Sequence, residues 1–80
     1  DYLPFIEGYS IVELAPPKEY VGKTLKELDL INRFGIQVLA IKEILPKGLI
    51  LIPGADFQVK DSDALIVLGP DEKLEKIKAS

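Results

Sequence analysis

The 80-residue sequence predicts a single α+β domain. The expected fold is a small mixed or antiparallel β-sheet with two helices, in the order β-α-β-β-β-α. Three observations lead there. Short runs rich in Ile, Val and Leu, YSIVEL at 9–14, IQVLAIKE at 36–43 and ALIVLG at 64–69, have the length and composition of strands. Between the first two lies a helix-start pattern, Thr24-Leu25-Lys26-Glu27, followed by apolar residues at helical spacing. The last run passes into Pro70-Asp71-Glu72, which suits the first turn of a second helix. The length allows one domain, since domains usually run to ~100–150 residues.

Residues 1–8 (DYLPFIEG) mix apolar side chains with Pro and Gly and read as an N-terminal arm or the end of a linker. Leu3, Phe5 and Ile6 pack either on their own domain or on a partner. The domain proper is expected over 9–80. Its first strand ends at Ala15-Pro16-Pro17, because proline donates no ladder hydrogen bond. A loop around Gly22 follows. In the capping box the Thr24 hydroxyl accepts from the Glu27 amide while the Glu27 carboxylate reaches back to the Thr24 amide. Leu25, Leu28 and Ile31 then form one stripe of a helix over 24–34, bent near Asp29-Leu30 and stopped by Gly35, where positive φ costs little.

Strict alternation through 36–43 puts Ile36, Val38 and Ala40 on one face, and Gln37, Leu39 and Ile41 on the other. Both faces are apolar, so this strand is expected to be central and covered on both sides. One layer of helices covers one face, which leaves the other for a second subunit. Residues 49–52 and 55–59 are each expected to form a short strand, and 60–63 a turn. In the last helix Leu74 and Ile77 form a thin inner face, the mark of an edge cover. Small chains are marginally stable alone, and with no disulfide to help, association is the natural supplement.

Composition excludes several functions. There is no Cys and no His, which removes disulfide frameworks, Cys/His zinc sites and Ser-His-Asp or Cys-His catalysis. The net charge of −3 and a pI near 4.8 argue against a nucleic-acid partner. No apolar run reaches the ~20 residues that span a bilayer, and nothing reads as a signal peptide. The lack of Met suggests a piece of a longer chain. Ser10, Ser62, Ser80 and Thr24 have no base in a recognisable constellation, so no enzyme is expected. Asp56, Asp61 and Asp63 lack the spacing of a calcium loop and read as turn residues, so no metal site is assigned.

The ordered series Gly22, Thr24-Leu25, Glu27-Leu28-Asp29-Leu30, Phe34-Gly35-Ile36, Ala40-Ile41-Lys42 and Asp63 to Gly69, followed by a charged helix, resembles the TrkA-C domain. This is the C-terminal lobe of RCK regulatory domains of potassium channels and transporters. The resemblance covers roughly residues 9–79. It implies a non-catalytic, cytoplasmic regulatory and dimerisation domain, held at the inner face of the membrane through partners. Those implied partners are a second copy of the chain (a homodimer or higher oligomer), a channel or transporter subunit, and a Rossmann-like N-terminal domain that binds NAD or ATP. No G-x-G-x-x-G occurs in this chain, so no cofactor is assigned to it.

In part of the family the dimer cleft binds cyclic di-AMP, through residues at the helix end and the following strand. By that resemblance the candidate ligand-binding residues are Asn32, Arg33, Ile36 and Gln37. The subset usually carries Arg after the Asp-Leu pair and Asn after the Gly-Ile pair; here these positions hold Ile31 and Gln37. Arg33 is the chain's single arginine, and its planar fork suits a phosphate, or else simply complements a helix C-terminus. Asn32 serves either a base edge or turn chemistry. Gln37 is either a base-edge reader or an exposed strand residue. Phe34 is expected in the core. The alternative to a ligand-binding module is a purely structural interaction domain.

Overall fold

The computed structural model describes residues 2–78. Asp1 of the expected arm, and Ala79 and Ser80 at the end of the expected domain, lie outside the described residues. The strands are β1 (Tyr2–Ile6), β2 (Tyr9–Leu14), β3 (Gln37–Ile44), β4 (Lys47–Leu51) and β5 (Ala64–Pro70). The helices are α1 (Leu25–Leu28), α2 (Leu30–Phe34) and α3 (Asp71–Lys78), with a short 3-10 turn at Lys18–Tyr20. All strand pairs are antiparallel, in the order β1-β2-β5-β3-β4. From β2 onward the chain runs β-α-β-β-β-α, as expected, with the first helix in two pieces. β5, the most continuously apolar run, is the middle strand, and β3 is an interior strand between β5 and β4, as expected.

The register sorts side chains onto two faces. Val12, Val67 and Val38 stand in one row, and Leu14, Leu65 and Ile41 in the next. All six are buried, beneath α1, α2 and α3 and the loop that carries Val59. Strict alternation in β3 fails because the register shifts between Val38 and Ala40. Leu39 is the extra residue of a bulge, and everything after it changes sides. Ile41 therefore joins Val38 under the helices at 0% exposure, not Gln37 on the open face.

Three other expectations change. Residues 55–59 form no strand; they make a single bridge between Thr24 and Gln58, the Ala55 and Phe57 carbonyls serve the start of α1, and Val59 bonds Gly22 and Lys23 in the loop before it. α3 is more than an edge cover, since Leu74 is fully buried in the core. Residues 2–6 of the expected arm pair with β2 as the outermost strand.

Candidate functional site

The site is built at the junction of α1, α2 and β3. Thr24 starts α1 with the capping box read from the sequence: its Oγ1 accepts from the Glu27 amide at 3.1 Å, and Glu27 Oε1 accepts from the Thr24 amide at 2.8 Å. The bond from the Thr24 amide foremost, and then one that the Thr24 hydroxyl donates to Glu27 Oε1 at 3.2 Å, hold the Glu27 carboxyl below its usual value of 4.5. The next two amides of the first turn are taken by the loop after β4. Leu25 N donates to Phe57 O at 3.0 Å and Lys26 N to Ala55 O at 2.9 Å. A helix start normally leaves these donors without partners, so this pairing docks the 53–60 loop beside the helix.

Asp29 divides the helix. It adopts the left-handed conformation, φ 48°, which Asp tolerates better than most residues. The break resets the helical phase. Leu30 turns into the core at 5% exposure, and Ile31, expected in the buried stripe, faces out at 55%. Gly35, φ 68°, closes α2 with bonds from its amide to Ile31 O and Leu30 O. This stop brings Ile36 and Gln37 back alongside α2.

Between these parts is a cleft of about 280 Å³. Its walls are Leu25, Leu30, Ile31, Ile36, Val38, Pro53 and Ala55, and its polar groups come from Lys26, Asp29 and Gln37. β4 ends at Leu51 opposite Ala40, so no β4 residue lies beside Gln37 and Val38 at the edge of β3. The Gln37 side chain covers that edge itself, its Nε2 donating to the Val38 carbonyl at 3.1 Å. An incoming polar group can replace this local bond without leaving an amide buried and unpaired.

Of the four sequence-predicted site residues, the structure brings Ile36 and Gln37 into the cleft and leaves Asn32 and Arg33 out of it. Asn32 Nδ2 donates to Asp29 Oδ1 at 2.8 Å, the turn chemistry of a helix joint. Arg33 turns away: its Nη1 donates to the Leu28 carbonyl at 3.1 Å and its Cζ lies 4.8 Å from the Phe34 ring centroid. Its charge acts on Tyr20, whose phenol burial pushes up and Arg33 pulls back down. Phe34 packs against the core, as expected.

The cation that does line the cleft is Lys26. Sequence reading missed it, together with Leu25, Pro53 and Ala55. The local signal for Lys26 was its place in the capped first turn. Pro53 and Ala55 had no local signal, because a pairing some 30 residues long in sequence places them.

The loop is also fastened at its far end. Asp63, 3% exposed, accepts from Lys60 N at 2.8 Å through Oδ2, and Lys60 Nζ reaches Glu43 Oε2 on β3 at 2.6 Å. The hydrogen bond to Glu43, ahead of the contacts with Asp63, raises the Lys60 ammonium above its ordinary 10.5. Among the described residues no cluster of acidic side chains has the makings of a metal site, and no helix is long and apolar enough to cross a membrane.

Comparison with known proteins decides the family. Residues 9–80 match the TrkA-C domain. The chain belongs to the TrkA-C domain family. TrkA-C domains are regulatory and non-catalytic, the RCK C domains of potassium transport systems. This one is 38% identical over 69 residues to the Ktr system potassium uptake protein C of Bacillus subtilis, covering 86% of the chain and 30% of that protein.

Among solved structures it is similar to the RCK C domain of the potassium transport protein KtrA in complex with cyclic diadenosine monophosphate. The TM-score is 0.79 and the identity 30%, covering 91% of this chain and 84% of that one. The same fold also occurs in S. agalactiae BusR in complex with its promoter DNA, at 19% identity and TM-score 0.70, covering 98% of this chain and 36% of that one. The expectation of no nucleic-acid partner rests on the acidity of this chain alone.

Proposed function

We propose that this TrkA-C domain is a cytoplasmic ligand-sensing and dimerisation module of a potassium uptake or channel system. Its cleft takes one half of a cyclic dinucleotide, with cyclic diadenosine monophosphate the first candidate. The observation that carries the reading is the cleft itself: apolar walls from Leu25, Ile31, Ile36 and Pro53 for a base, and the self-paired Gln37 amide for its edge. Lys26 is the cation within reach of a phosphate. The similar KtrA domain, solved with that ligand, supports the choice.

A volume of about 280 Å³ is too small for a whole cyclic dinucleotide. A second copy must supply the other wall, and a ligand with two equal halves fits a two-fold pair. Such a ligand favours the pair geometry it fits by its differential affinity, and that bias is what reaches the transport subunit. In this reading residues 9–80 form the module, and NAD or ATP belongs to a Rossmann-like domain elsewhere in the assembly. The membrane subunit tethers the module to the inner face of the membrane.

Two features favour the ligand-free alternative, a structural interaction domain. Asp29 adds a negative charge to the cleft, and Ile31 stands where the family resemblance implies an Arg for an anionic ligand. Titration calorimetry with cyclic diadenosine monophosphate separates the readings. One ligand per two chains is expected. Gln37→Ala should weaken binding by about 2- to 10-fold, the worth of one hydrogen bond, and Arg33→Ala should leave it unchanged. Absence of binding at millimolar ligand, or sensitivity to Arg33→Ala with none to Gln37→Ala, overturns the proposal.

A further inference from the structure

Among the described residues two that are not glycine have positive φ, Asp29 at 48° and Ile52 at 49°. Asp29 tolerates that conformation and puts its carboxylate to use, accepting from Asn32 Nδ2 at 2.8 Å. Ile52 is the opposite case. A β-branched side chain in the left-handed region is a genuine outlier. Pro53 comes next, and proline pushes the residue before it toward extended backbone, so the strain has a second source. The side chain contributes little to the core, since it is 81% exposed, more than any other large apolar residue described.

Two anchors hold Ile52 in place. On one side its amide donates to the Leu39 carbonyl at 2.7 Å, where the β3–β4 pairing ends. On the other side the Ala55 and Phe57 carbonyls are taken by the first-turn amides of α1. Strain of this kind persists only where the surroundings over-determine the backbone, and it collects at ligand clamps. Ile52 also stands beside the cleft. Its neighbour Pro53 is a wall residue. Across the pairing, Leu39 is two residues from Gln37, so the free edge of β3 begins about 7 Å further along the strand.

We propose that Ile52 is a ligand-contact residue of the cleft, held out at its mouth by a strained backbone so that it closes on the ring of a bound base. The proposal rests on the cleft being a ligand site. Strain and an exposed isoleucine are both costs to the free chain. Burying the side chain against the ligand offsets them, and the fixed backbone requires no further ordering when the ligand enters. Asn at position 52 relieves the strain and loses the contact. Stability and binding must therefore move in opposite directions, which substitution of a purely structural residue does not produce.

The test pairs calorimetric melts with titration of cyclic diadenosine monophosphate, on the whole chain at one protein concentration. Ile52→Asn should raise the Tm of the ligand-free chain by about 4 °C or more. It should weaken binding about 3- to 10-fold. That loss should be equal at low and high salt, because the contact is apolar. Ile52→Ala still meets the left-handed cost without the branched side chain, so it should weaken binding as much and raise Tm less. Ile52→Val keeps the branch and most of the surface and should match the wild type in both measurements. An Ile52→Asn chain that melts at or below the wild type overturns the proposal. So does a binding loss seen in Ile52→Asn and absent in Ile52→Ala, which would assign the effect to the backbone. Wild-type binding that neither variant weakens overturns this proposal and leaves the ligand site standing. A wild type that binds nothing at millimolar ligand overturns both.

Discussion

Gly69 and Ile36 offer a measurable packing test between the middle strand and the wall of the cleft. A Cβ at Gly69 would lie 2.7 Å from Ile36 Cγ1, 3.4 Å from its Cα and 3.5 Å from its Cβ. The distances to Cα and Cβ are ordinary contacts; the clash is with Cγ1, and because Ile36 is 1% exposed and packed in the core its side chain must shift against its neighbours to relieve it. The strand conformation at Gly69 suits alanine, so Gly69→Ala isolates the steric effect. Overpacking costs about 1–3 kcal/mol, and the stiffer unfolded chain returns about 0.4–1 kcal/mol. The net expectation is a loss of about 1–2 kcal/mol.

Ile36→Ala alone should cost about 2–5 kcal/mol through its cavity. In the double variant the methyl group introduced at position 69 occupies part of that cavity. The double should therefore be more stable than the sum of the singles by about 1–2 kcal/mol. Urea denaturation followed by circular dichroism, at one fixed protein concentration because association adds stability, measures all four corners. A Gly69→Ala protein as stable as the wild type, or singles that add within about 0.5 kcal/mol, refutes the packing argument.

Other outcomes follow from the same structure. Thr24→Ala removes the cap of α1 and should cost about 1 kcal/mol, lowering Tm by about 4–8 °C in a calorimetric scan. Glu27 has a folded value below its unfolded 4.5, so its contribution is complete above pH 4.5 and is lost as pH falls through the folded value. Thermal melts across acid pH should show that loss flattened in Glu27→Gln. Lys60 has the opposite sign: raised above 10.5 when folded, it stabilises below pH 10.5 and loses that contribution as pH rises through the folded value. Lys60→Met should lack this alkaline component, and a melt series unchanged by the substitution refutes a stabilising role for the Lys60 contacts with Glu43 and Asp63. At the cleft, Gln37→Ala should weaken cyclic diadenosine monophosphate binding while Arg33→Ala leaves it alone.

The amino-acid order alone determined what depends on neighbours a few residues apart. The capping box at Thr24, the stop at Gly35, the three apolar strands at 9–14, 36–43 and 64–69 and an acidic α3 start at Asp71-Glu72 are as read, although Pro70 ends β5 opposite Tyr9 and is not part of the helix. Composition also removed Cys/His chemistry before any fold was known, and the ordered residues pointed to the right family. Half of the expected site, Ile36 and Gln37, was legible because it follows directly from a helix stop into a strand.

Tertiary structure decided the rest. The bend expected near Asp29-Leu30 is there, but its left-handed turn at Asp29 and the bulge at Leu39 each shift the phase of everything after them, and no periodicity count foresees that shift. They expose Ile31, bury Ile41 and send Arg33 toward Leu28 and Phe34. The 53–60 segment pairs with helix donors some 30 residues away, so its role as the far wall of the cleft was invisible locally. Sequence sets the periods; a slipped register or a distant hydrogen-bond partner sets which side each residue faces.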